Sequence, residues 1–147
     1  MLTHATPSSA VAGNTKLNPP CCAAPLGKYV NAVVVPAGSK TLYISGQLGA
    51  DPQSQNKLAE TGCDQAALCF SNIRACVEHA GMKFPEDLVK VTVFMVRDKC
   101  SLADYREARE AAMGDVQCAS SLVFVESLAT PEMAIEIEAI AATAVDE

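Results

Sequence analysis

Apolar residues recur along this chain with two different periods, and the switches between them lay out a fold. Ala32-Val33-Val34-Val35 is largely β-branched, Ala37-Gly38-Ser39-Lys40 reads as a turn, and Thr41-Leu42-Tyr43-Ile44-Ser45 alternates, which together predict a hairpin. A polar loop over residues 49–62 leads to Ala66, Phe70, Ile73, Val77 and Ala80, spaced by three and four as on one face of a helix. Thr61 with Asp64 supplies a cap for it and Gly81 a stop. From Leu88 to Val96, Val89, Val91, Val93 and Met95 fall on one face and Leu88, Lys90, Thr92, Phe94 and Val96 on the other, as in a central strand. Ser101 and Asp104 repeat the cap ahead of a second helix with the stripe Leu102, Tyr105, Ala108, Ala112 and Met113, ended by Gly114. Strands over residues 121–125 and 133–143, joined through Thr130-Pro131, complete the series.

The order ββαβαββ predicts an α+β domain with one mixed sheet and two helices on one of its faces. Two short helices leave the second face uncovered, and a central strand apolar on both sides asks for a cover there, so a homo-oligomer is expected. Residues 1–26 are rich in Ala, Pro, Ser and Thr, lack acids, and read as an extended or partly disordered arm ahead of a single domain over residues 27–147.

Composition narrows the function. A chain of 147 residues fits one domain. No apolar run reaches the roughly 18–20 residues of a membrane helix. All eleven Lys and Arg lie at or before Arg109, the net charge is −6, and nucleic acid is therefore not an expected partner. Seven cysteines, Cys21, Cys22, Cys63, Cys69, Cys76, Cys100 and Cys118, form no C-x-x-C pair, which suits a reducing, cytoplasmic location. The acid-free start faintly suggests a mitochondrial leader, but Lys16 is its only basic residue. His4 and His79 have no ligand spacing to a cysteine, so no metal is expected, and no other cofactor is.

Four stretches resemble the YjgF/RidA family, also labelled L-PSP endoribonucleases: Gly27-Lys28-Tyr29, Leu42-Tyr43-Ile44-Ser45-Gly46-Gln47, Val89-Lys90-Val91-Thr92-Val93-Phe94 and Ile135-Glu136-Ile137-Glu138-Ala139-Ile140-Ala141, with Asn72 between them. The resemblance implies a chorismate-mutase-like fold, a homotrimer, and small-molecule clefts between subunits. It implies hydrolysis of enamines and imines of amino acids, such as 2-iminobutanoate and 2-iminopropanoate, to ammonia and a 2-keto acid. In that chemistry an arginine pairs with the substrate carboxylate, a task its planar fork suits.

Where the family has Pro-Ala-Arg-Ser, this chain has Cys118-Ala119-Ser120-Ser121, so Ser120 stands at the arginine position. No realignment restores a cation there, because no Lys or Arg follows Arg109. The resemblance carries over Tyr29 as a cleft aromatic, Ser45 as the serine before Gly-Gln, and Glu136 as a site acid. Packing would equally explain Tyr29, a strand-end turn Ser45, and an exposed strand face both Glu136 and Glu138. Arg106 replaces a family asparagine and is a candidate substitute cation; with Arg109, Glu107 and Glu110 it also fits a solvated helix face. The expected function is binding of small carboxylate or carbonyl ligands, with ordinary deaminase activity weakened. The alternatives are a non-catalytic trimeric scaffold or chaperone-like protein and, third, a ribonuclease, which the acidic balance and the lack of a histidine pair oppose. Cys118, beside the altered motif, is a thiol whose reactivity the sequence leaves open.

Overall fold

Both helices start where their cap residues stand. In the computed structural model, which describes residues 13–145, helix α1 runs Gly62–His79 and helix α2 Leu102–Met113. The Thr61 hydroxyl accepts the Asp64 N–H at 3.1 Å, satisfying one of the donors that a helix start leaves without a partner. At α2 the box closes in both directions: Ser101 Oγ accepts from Asp104 N at 3.1 Å, and Ser101 N donates to Asp104 Oδ2 at 2.9 Å. The Ser101 N–H, with its hydroxyl, holds the Asp104 carboxyl below its ordinary value.

Eight strands accompany the helices: β1 (Thr15–Leu17), β2 (Ala32–Val34), β3 (Lys40–Leu48), β4 (Ala50–Asp51), β5 (Lys57–Leu58), β6 (Leu88–Val96), β7 (Ala119–Val125) and β8 (Ile135–Thr143). The main sheet has the order β3-β8-β6-β7, antiparallel except for the parallel pair β6–β7, so it is mixed as expected, with four strands. On its helix side Val91, Val93, Met95, Ile135, Ile137 and Ala139 pack with Phe70, Ile73 and Val77 of α1, all of them buried. Each large side chain in this layer contributes about 1.5–3 kcal/mol relative to exposure. The opposite face is mixed: Thr92 pairs with Glu138 and Phe94 with Glu136, and Tyr43 stands 77% exposed.

The predicted hairpin between residues 32–35 and 41–45 does not form. β2 pairs with β1, Thr15 opposite Val34, while β3 pairs with β8. Alternation identifies a strand but not its partner, and β8, with Ile135, Ile137, Ala139 and Ala141 all buried, offers β3 a longer apolar ladder than three-residue β2. The arm is thus ordered into a strand at residues 15–17, while His4 and the first twelve residues of the stretch suggesting a leader lie outside the described residues. No helix among the described residues is long and apolar enough to cross a membrane.

Candidate functional site

Three segments converge where β7 leaves α2. Ser120 lies opposite Val91 in the parallel pair and so shares the face that looks toward the helices. The segment before β2 is pinned beside it, Val30 N donating to Cys118 O at 3.1 Å. Between these segments and α2 opens a cavity of about 520 Å³, whose polar lining includes Tyr29, Tyr105, Arg106, Arg109, Cys118 and Ser120. Val91, Leu102 and Leu122 supply apolar wall.

The charge states follow from burial. The Tyr105 phenol is pushed up to about 12 by burial, with the nearby Ser120 hydroxyl opposing, so it stays protonated. Burial likewise pushes the Cys118 thiol up to about 11, with Arg109 opposing, which leaves it neutral. That answers the question of Cys118 reactivity: the thiol is buried and lacks thiolate character at neutral pH. Arg106 is exposed at the cavity, while Tyr29 is half-buried with its hydroxyl accepting the Leu26 N–H at 3.1 Å. Lys28 also lines the cavity but is engaged by Glu110 at 2.6 Å and Asp115 at 3.2 Å.

The structure therefore brings together Tyr29, Arg106 and Ser120 and sets Ser45 and Glu136 apart. Ser45 lies on the open sheet face in a shallower pocket of about 240 Å³ with Tyr43, Lys90, Thr92, Glu138 and Ile140. Glu136 borders neither pocket; its side chain fills the space beside Gly46, where a Cβ would overlap the carboxylate. A side chain at Gly46 would force the Glu136 carboxylate to move. Asn72 acts as a clip, its amide donating to Leu48 O at 3.2 Å and Ala50 O at 3.0 Å.

Two cavity residues escaped the sequence reading. Arg109, read as part of a solvated helix face, is buried, and Tyr105, read only as apolar stripe, lines the cavity with Ser120. A signal for Arg109 was present: it follows Tyr105 by four and adjoins Ala108, which places it on the buried stripe.

Comparison with known proteins places this geometry in context. The family model described as Endoribonuclease L-PSP matches residues 21–143. A 2-iminobutanoate/2-iminopropanoate deaminase of Salmonella typhimurium is 38% identical over 121 residues, covering 80% of this chain and 89% of that protein. A conserved Rid-family protein of unknown function from Yersinia pestis superposes with a TM-score of 0.73 at 26% identity, covering 87% of this chain and 97% of that one. TdcF of E. coli, solved with bound serine, superposes with a TM-score of 0.62 at 31% identity over 80% of this chain and 89% of its own.

Proposed function

The chain belongs to the endoribonuclease L-PSP family, the YjgF/RidA proteins, and from that membership we propose that it binds small 2-keto acids or the corresponding imines in the cavity between α2, β7 and the Tyr29 segment. The observation that carries this reading is the convergence of Tyr29, Ser120 and two guanidinium groups on one cavity, at the strand position where the family resemblance implies a carboxylate-binding arginine. The serine carried by TdcF, itself a small carboxylate-bearing molecule, supports a ligand of this size.

The same position limits catalysis. A serine hydroxyl donates one hydrogen bond without charge, and loss of a charged partner to a bound ligand costs roughly 2–5 kcal/mol. Hydrolysis of 2-iminobutanoate is thus slow in this reading, and the chain acts first as a ligand binder.

The open sheet face, bearing Tyr43, Ser45 and Glu138, is where a second copy docks in this proposal. In a homotrimer, Ser45 and Glu136 of one subunit would then meet a neighbour's cavity, with Glu136 as the candidate site acid. Light scattering tests the assembly: a monomeric mass at micromolar concentration counts against it. The function is tested by a coupled assay with freshly generated 2-iminobutanoate beside a titration with 2-oxobutanoate. Saturable binding with ammonia release close to the uncatalysed rate is the expected pair of results. Fast ammonia release would overturn the catalytic part, and no binding would favour the non-catalytic scaffold.

A further inference from the structure

The cavity holds a charge that the fold itself leaves without a counter-ion. Arg109 is the one charged side chain among the described residues that is buried, at 8% exposure. Two of its N–H groups donate to the carbonyls of Gly114 at 3.1 Å and Val116 at 2.6 Å, tying back the chain that leaves α2. A guanidinium carries five N–H donors, and the others find no acceptor among the described residues.

No carboxylate answers the charge either. Adjacent Glu110, with Asp115, is held by Lys28, Asp104 is engaged by Ser101, and Glu107 forms no ion pair with Arg109. Two carbonyls and the C-terminal end of the helix dipole offset part of the cost of burying a cation, but a net charge remains beside apolar Val91 and Leu122 and the neutral Cys118 thiol. Such a site is completed by an anion. Arg106 differs in kind: it is exposed, where water and salt screen it.

From this placement we infer that Arg109, supplied by α2, takes the ligand's carboxylate in this chain, replacing from the helix the cation that β7 lacks at Ser120. The inference rests on the reading that the cavity admits small carboxylates. Tyr105 and Ser120 then stand as neutral hydroxyls beside the carboxylate, and Arg106 steers anions toward the mouth without clamping them.

The test compares an acid with its uncharged twin. Calorimetric titration of 2-oxobutanoate and 2-oxobutanamide into the wild-type protein is expected to show a preference for the acid of about tenfold or more, the ratio a charged hydrogen-bonded partner supplies. Arg109→Met abolishes that preference while the amide binds as before; Arg106→Ala lowers it by less than about threefold, the small effect of a screened, exposed charge. Because Arg109→Met also removes the two carbonyl bonds, Arg109→Lys provides a milder variant, keeping the charge but losing the fork, and its preference falls by about threefold or more. The ratio within one variant does not depend on how much of that variant is folded. Arg109 variants that retain the wild-type ratio overturn this assignment and leave the proposed function standing, as does an Arg106→Ala protein that alone loses the ratio. A wild-type protein that binds neither compound overturns both.

Discussion

Glu136 packs against the Cα of Gly46, occupying the volume that any larger residue would need. The contact links β8 to the irregular stretch of β3, where the register with β8 shifts between Ile44 and Gln47. It holds a half-buried acid in place through steric fit.

Gly46→Ala forces the Glu136 side chain to move and is expected to destabilise the protein by about 1 kcal/mol, the low end of the cost of overpacking. Urea denaturation measures this, and Glu136→Ala in the same chain should restore most of the loss. A double variant no more stable than Gly46→Ala alone would show that the methyl group meets an obstacle other than Glu136.

Gln65 is 3% exposed and fully satisfied: its amide donates to Ala59 O and Glu132 O, both at 2.9 Å, and its carbonyl accepts the Ala134 N–H at 2.8 Å. Gln65→Leu keeps the volume but strands three backbone groups, at a cost of about 3 kcal/mol. A loss under about 1 kcal/mol in urea denaturation would mean that water replaces the side chain.

Thiol titration separates the cysteines. Cys21 and Cys22 are exposed, whereas Cys69, Cys100 and Cys118 are buried, and burial pushes the last three up to about 12, 11 and 11 from an ordinary value of 9.0. At pH 8 a chromogenic disulfide reagent should label Cys21 and Cys22 quickly and these three only on unfolding. The native state holds their protons more tightly than the unfolded chain. Stability is therefore unaffected below about pH 9 and falls as pH rises toward 11. A denaturation midpoint unchanged between pH 8 and pH 10.5, or rapid native labelling of Cys118, would contradict this.

Ser120→Arg returns a guanidinium to β7. The cavity has room for it, and hydrolysis of 2-iminobutanoate should rise by about tenfold or more. An unchanged rate, with 2-oxobutanoate binding intact, would place the limitation on catalysis elsewhere than at position 120.

Much of this fold was readable from local signals, because caps and periodicity are local properties. Thr61, Ser101 and Asp104 mark the helix starts, and the two-faced run Leu88–Val96 sits between β8 and β7. Strand partners were not readable: alternation reports that a strand has a buried face, not what lies at its edge, and β2 found the arm at Thr15–Leu17. The site was half legible. Motif resemblance gathered Tyr29, Ser45, Arg106, Ser120 and Glu136 into one list, but the sheet sorts them by face, Ser120 toward the helices and Glu136, opposite Phe94, away from them. Arg109 was hidden for a different reason: charge pointed outward, and the carbonyls of Gly114 and Val116 that accept it lie past the end of its helix.

The central claim, that the cavity beside Ser120 receives a small carboxylate, is tested most directly by a crystal structure of the protein soaked with 2-oxobutanoate. Ligand density among Tyr29, Arg109 and Ser120, with the carboxylate on the guanidinium, is the predicted result. Density confined to other surfaces, with that cavity holding only solvent, would contradict it.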